Sequence, residues 1–311
     1  MQKVTKHIIK ILYYFIYYSG IIYLFRLAND RNVILFYHYV NSGSSVSKKH
    51  RCLTDNIDKT SAETLSSHIN YLQKYYKLSP LGDLVKMQEN RHAAITFDDG
   101  FRSVYDYFSS RNDDIPFTIF LNTYFYDKKI GLPLHNVYGG QYNNNDKDMF
   151  TGTIEKMHKK NLKIWNTLSE KAKDEISKLY LTLQDIEHIK NSKNITIGGH
   201  SHSHRSLKIL TKKNQKEEIT LNKSYLEKIF DREIKLFAYP FGVPDTNYDE
   251  ETISIIRNSG YEFSFSAVNY DSYNDNNLSI PRFWGGDKPV WYFACEIERV
   301  LPNLKKLFPS F

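Results

Sequence analysis

Apolar residues along this chain fall in short runs separated by segments with helical spacing. The runs are NVILFYH (32–38), AAITF (93–97), FTIFL (117–121), ITIGG (195–199), IKLFAY (234–239), EFSFSA (262–267) and LSIPRF (278–283). Helix-like segments lie near 62–76, 102–110, 154–178, 182–192, 213–230 and 249–258. Ser61 in SAE (61–63) offers an N-cap followed by an early acid. TLQD (182–185) reads as a loose capping box, with Asp185 in place of Glu or Gln. Strands alternating with helices imply a parallel sheet covered by helices. Continuous apolar runs fit strands buried on both faces. A barrel related to the (β/α)8 type and an open doubly wound sheet both fit this pattern, and both place chemistry beyond the carboxyl ends of the strands.

Residues 11–25, ILYYFIYYSGIIYLF, are apolar or aromatic except for Ser19 and Gly20. As one helix the stretch would span roughly 22 Å, short of the roughly 30 Å hydrocarbon core. Lys3, Lys6 and Lys10 precede it and Arg26 and Arg31 follow it, so the flanking charge sets no orientation. Its five tyrosines favour the headgroup boundary. No small-residue cleavage site follows. Three readings stand: a helix lying in the membrane surface, an uncleaved span, and a helix packed on the domain. The chain is therefore divided into an N-terminal membrane-associated helix (1–31) and a catalytic domain (32–311), with the side of the membrane open.

Composition narrows the class. The 311 residues are 41% hydrophobic and 25% charged, ordinary for a globular protein with a sizeable core. The net charge of +7 comes without an arginine-rich stripe or a nucleic-acid fold signature, so no nucleic-acid partner is expected. Runs such as KILTKKNQKE and KMHKKNLK read as solvated helix faces. Cys52 and Cys295 form neither a disulfide framework nor a metal-ligand spacing. The Asn-rich QYNNND (141–146) reads as a loop.

The chemistry concentrates at strand ends. ITFDDGF (95–101) sets two carboxylates, Asp98 and Asp99, after an apolar run and before a glycine. GGHSHSHRSL (198–207) holds three of the eleven histidines within five positions. His200 and His204 align at one helical turn, and at period two as well. Two imidazoles and a carboxylate form a common catalytic zinc set that leaves positions open for water or substrate. One Asp can then bind the metal while its neighbour serves as a base. Nearby cationic charge removes the repulsion between the two. His38 ends the first run on the same expected rim, where a structural role and a functional one are both open.

TFDDG (96–100) resembles the first motif of the polysaccharide deacetylases with a NodB homology domain, carbohydrate esterase family 4, and HSHSH (200–204) resembles their H-[ST]-x-x-H motif. FAYPFG (237–242) and ILFYHYV (34–40) are similar to the third motif and the opening strand of the bacterial exopolysaccharide branch. The likeness spans about residues 32 to 285. It implies Asp98 as general base, and Asp99, His200 and His204 as ligands of a divalent metal. That metal is expected to be Zn2+, with Co2+, Ni2+ or Mn2+ as alternatives. Ser201 would orient a ligand, and the Phe241 N–H would hold the oxyanion. Two departures stand out. The arginine that often pairs with the base is replaced by Ala238, leaving Arg282 as a substitute from another strand. The C-terminal acid histidine is absent, since none follows His204, which leaves His38, His135 or Asp98 to protonate the amine.

The fold expected is thus an α/β irregular (β/α) barrel of about seven parallel strands behind an N-terminal amphipathic or membrane-associated helix. The activity implied is removal of N-acetyl groups from amino sugars of a bacterial polysaccharide or lipid-linked glycan, with a membrane surface as a second partner. Deformylation of a polyprenyl-linked amino sugar and a catalytically silent glycan-binding homologue are the alternatives. Trp284 is read as an ordinary surface or core residue.

Overall fold

The computed structural model describes residues 2–42, 58–111, 113–133, 135, 150–268 and 277–307. Cys52 and residues 141–146 lie outside the described residues. Among the described residues there are ten strands: β1 (Val33–Tyr37), β2 (Tyr39–Asn41), β3 (Lys59–Ser61), β4 (Lys77–Leu78), β5 (His92–Phe97), β6 (Phe117–Leu121), β7 (Ile195–Gly199), β8 (Leu236–Ala238), β9 (Phe263–Phe265) and β10 (Phe283–Trp284). The main sheet runs β10-β1-β5-β6-β7-β8-β9, with every pairing parallel. β4 adds to the start of β5, and β2 pairs with β3 in a separate ribbon. The expected curled, barrel-like parallel sheet is what forms.

The run expected to form one strand over 278–283 is split instead. Ile280 bridges Phe265 of β9, while Phe283 and Trp284 pair with Leu35 and Phe36 of β1. Pro281 between them has no N–H to contribute to a ladder. The segment therefore touches both edge strands, and the residue at the break, Arg282, is wholly buried.

Period two sorts the strand side chains into two layers. Val33, Leu35 and Tyr37 of β1 and Ala93, Ile95 and Phe97 of β5 join the large layer beneath the helices. Ile34, Ala94, Phe120, Leu236, Ala238, Phe263 and Phe265 form a second, inner layer within the curl. The inner set is even-numbered on β1 and β5, and the next even positions beyond those strands are His38 and Asp98. Strand alternation thus brings both over the mouth of the inner layer.

Eleven helices matter here: α1 (Gln2–Tyr18), α2 (Ile22–Ala28), α3 (Ala62–Tyr75), α4 (Arg102–Ser109), α5 (Ile154–Thr167), α6 (Glu170–Ser177), α7 (Leu183–Asn191), α8 (Lys212–Phe230), α9 (Glu250–Asn258), α10 (Val290–Ile297) and α11 (Val300–Leu307). Ser61 caps α3 by accepting from the Thr64 N–H, and Thr182 and Asp185 form the capping box of α7. The single helix expected over 154–178 is two. Leu168 leaves the helical region, and Ser169 caps a fresh helix by accepting from the Ala172 N–H.

The apolar N-terminal stretch is broken as well. α1 and α2 meet at an 87° bend, where Gly20 takes φ +82°, a conformation open to glycine. Among the described residues, no single helix is long and apolar enough to cross a membrane. One face of the pair packs on the domain, burying Tyr13, Ile16 and Ile22. The Tyr13 ring lies 5.2 Å from that of Tyr292 on α10, and the Cys295 thiol donates to the Tyr13 carbonyl. The Asn29 amide donates to Glu298, whose buried carboxylate also pairs with Arg91 at 2.9 Å.

His68 ties α3 to the segment before α10. Its Nε2–H donates to the Lys288 carbonyl at 2.8 Å, and Nδ1 faces the Tyr37 hydroxyl at 3.0 Å. The ring stacks on Phe293 with centroids 3.8 Å apart. Burial pushes its pKa down to about 4. The fold holds this ring neutral, whereas the unfolded chain protonates it near the ordinary value of about 6.5. Its contribution to stability is complete above that value and is lost as the pH falls toward 4. Thermal unfolding between pH 7.5 and 4.5 is expected to show stability falling by up to about 1.4 kcal/mol per pH unit from this group. His68→Gln is expected to flatten that slope; an unchanged slope would refute the assignment.

Candidate metal centre and active site

The site assembles where β1, β5, β7 and β8 end. Asp98 follows β5 directly, and its backbone N–H donates to the Tyr37 carbonyl at 2.9 Å. Its carboxylate is met by Arg282 in a two-pronged pair, Nη1–Oδ1 and Nη2–Oδ2 both 2.7 Å. Arg282 also donates to the Thr96 hydroxyl at 3.1 Å and the Ser266 carbonyl at 3.0 Å. Its guanidinium lies 4.9 Å from the Phe36 ring centroid and 5.2 Å from that of Phe120. Burial pushes the Asp98 carboxyl up, but Arg282 and His200 outweigh it and hold the pKa below the ordinary value. The charge absent at Ala238 is thus supplied from the split strand.

Asp99 turns away from its neighbour because its backbone is left-handed, φ 68°, followed by Gly100 at φ 71°. Its Oδ1 lies 3.1 Å from His204 Nε2 and 3.5 Å from His200 Nε2. One ligand atom from each of these three residues falls within 4.8 Å of the others. The His200 Nδ1–H donates to the Ala238 carbonyl at 2.7 Å, which leaves its Nε2 as the lone-pair nitrogen facing Asp99. Asp99 Oδ1 is buried and receives no well-formed hydrogen bond from a described residue. Burial pushes the Asp99 carboxyl up, but His204 and His200 hold it well below the ordinary value. A carboxylate oxygen lacking a donor and two imidazoles turned toward it fit a divalent cation.

The histidine loop is built by α8 from below. Asn222 accepts from the His200 N–H and donates to the Leu121 and Ser201 carbonyls. One turn earlier, buried Glu218 accepts from the Ser203 N–H at 2.8 Å and pairs with Arg205 at 2.7 Å. Ser201 Oγ accepts from the His204 N–H at 3.1 Å. Ser201 and His204 both sit at φ 59°, and Phe241 at φ 61°. Such left-handed residues other than glycine each cost on the order of 1 kcal/mol and gather at functional sites. His202 is buried with Nδ1 against the Thr123 hydroxyl.

Phe241 and Trp284 face a cleft of about 560 Å³ that also reaches His38, Asp58, Asp98 and His200. Both rings are unusually open for their type, 48% and 41% exposed. No described residue accepts from the Phe241 N–H. His38 Nδ1 has no hydrogen-bond partner among the described residues, and Asp58 Oδ2 lies 3.9 Å away. His135 is buried against the Tyr180 hydroxyl, and burial pushes its pKa down to about 4, so it carries no proton to give near neutrality. Asp58, Glu218, Asn222 and Trp284 were not singled out by the sequence. Trp284 had a signal, standing two residues past Arg282 where a strand repeats its face.

A parallel β/α barrel with a buried Asp–His–His cluster and a second carboxylate, paired with an arginine, at its carboxyl rim defines a class, the metal-site hydrolases of this architecture. The profile of the polysaccharide deacetylases matches residues 86–264, more than half of the chain, and the protein belongs to that family. It is a hydrolase acting on carbon–nitrogen bonds other than peptide bonds. Solved structures share the fold. The Streptococcus pyogenes deacetylase PplD, in complex with acetate, matches with a TM-score of 0.54 and 15% identity over 82% of this chain and 92% of its own. IcaB from Ammonifex degensii matches with a TM-score of 0.54 and 17% identity over 87% and 98%. A de-N-acetylase from Aggregatibacter actinomycetemcomitans matches with a TM-score of 0.55 and 12% identity over 82% and 94%. Among the curated proteins searched, none matches.

Proposed function

We propose that this protein removes N-acetyl groups from amino sugars of a bacterial polysaccharide or lipid-linked glycan, with zinc as its metal. The observation that carries the reading is Asp98, ionised by its pair with Arg282, beside the Asp99–His200–His204 set. That trio would hold the metal. When bound, a divalent cation supplies Lewis-acid polarisation of the acetyl carbonyl.

The chain's own groups supply the rest. Asp98 takes a proton from the attacking water as its oxygen bonds to the acetyl carbon. The Phe241 N–H donates to the developing oxyanion, a contact of a kind worth roughly 2.7–4 kcal/mol. His38 gives its proton to the sugar nitrogen as the C–N bond breaks, its Nδ1 lying 3.9 Å from Asp58 Oδ2. Acetate and a free amino sugar result. Phe241 and Trp284 offer flat apolar faces on which a sugar ring can rest across the cleft.

The test is acetate release from N-acetylated amino-sugar oligomers by protein loaded with zinc or cobalt. Release is expected to stop on chelation and return when metal is restored. His38→Gln is expected to slow it by about 10²-fold or more. Release that persists through chelation would overturn the metal assignment, and a fully active His38→Gln would remove the acid role.

A further inference from the structure

We infer that the outer face of the bent α1–α2 pair is a docking surface for an acidic lipid bilayer, and that it lies flat in one leaflet. The inference stands apart from the catalytic reading. It rests on the two-sided burial of the pair. Tyr13, Ile16 and Ile22 face inward and are almost completely buried. Ile8, Ile11, Phe15 and Tyr18 recur along α1 as one exposed stripe, and Leu24 and Leu27 continue it on α2. These six are all more than half exposed, the highest being Leu27 at 66%. A contiguous apolar patch of this kind on a water-facing surface marks a contact site.

Charge selects the occupant. The first acidic residue in the chain is Asp30, while Lys3, Lys6, Lys10 and Arg26 come before it. An apolar and aromatic stripe whose own segment carries lysines and an arginine and no acid before Asp30 matches a surface of acidic headgroups over hydrocarbon. A second copy docked through the same face by a two-fold axis would set like charges against like.

Geometry selects the mode. α1 has 17 residues and α2 has seven, turned 87° from it. At 1.5 Å per residue, α1 reaches only about 25 Å of a roughly 30 Å hydrocarbon core. Crossing would also draw Tyr13 away from Tyr292 and Cys295, and would break the Arg26 Nε donation to the Tyr71 hydroxyl. Lying flat keeps all of these contacts.

The full chain is to be sedimented with vesicles of phosphatidylcholine, with and without 30 mol% phosphatidylglycerol (about a third acidic lipid, within the range where polybasic segments respond). Binding is expected on the acidic vesicles and to be at least about tenfold weaker on the neutral ones. The variant Ile11→Ser/Phe15→Ser/Leu24→Ser alters exposed side chains only. It is expected to keep the wild-type melting temperature and lose binding at least about tenfold. Lys3→Cys is expected to stay open to an impermeant maleimide added outside the vesicles. Wild type that ignores acidic vesicles, or that forms a dimer which the triple variant dissolves, would overturn the lipid assignment. Protection of Lys3→Cys from the reagent would overturn the flat mode.

Discussion

Replacing Asp98 with Asn is expected to lower turnover by roughly 10²–10⁴-fold while bound metal stays at wild-type stoichiometry. The amide nearly matches the carboxylate in shape, so the cleft keeps its form, but it cannot take a proton from water. Asp99, whose left-handed backbone aims it at the two imidazoles instead, keeps its place in the donor set. Metal content by elemental analysis and acetate release on the same preparation separate the two roles. Loss of metal together with turnover would show that the two carboxylates have been assigned the wrong way round.

Arg282→Met is expected to be the most destabilising single change at the site. Asp98 is almost fully buried, and both of its oxygens are held by one guanidinium at 2.7 Å. Removing one partner of a buried pair leaves an uncompensated charge, at a cost of about 3–5 kcal/mol. The chain can escape part of that cost by protonating Asp98. With the arginine gone, the largest influence opposing burial is lost, and the carboxyl's pKa rises. Activity is then expected to fall at neutral pH and to recover partly toward alkaline pH. Arg282→Lys keeps the charge but not the fork, and is expected to fall between the two. Denaturant unfolding with a pH–rate profile is the measurement; wild-type stability with an unshifted profile would show that the pair contributes little.

The sequence displayed the site more fully than the seam that completes it. Asp98, Asp99, His200 and His204 were legible because chemistry-bearing side chains stand in tight clusters directly after apolar runs. Arg282 was named as the substitute partner for the base, but only as a charge available from another strand, with nothing in the sequence to show its course. Its inward course depends on Pro281 breaking the ladder, and on which edge each half of the run joins. Strands buried on both faces read as unbroken apolar stretches, so nothing in the letters told inward from outward. The helix break at Leu168–Ser169 turned on one capping hydroxyl. α10 and α11 went unmarked because VWYFACEI is apolar almost all round and shows no stripe. Glu218 and Asn222 were hidden on a helix whose buried face mixes polar residues that support the histidine loop with Ile219, Leu226 and Phe230 of the core.

The left-handed residues at Asp99, Ser201, His204 and Phe241 carry a consequence for how this protein can change. Each holds a backbone shape that glycine would adopt with less strain. Selection for heat resistance alone would thus favour glycine at the very positions whose side chains do the chemistry. Phe241 is the exception, because its main chain would still offer an N–H after the ring was gone. A thermostabilising screen is therefore free to drift there, and only the grip on the sugar would register the loss.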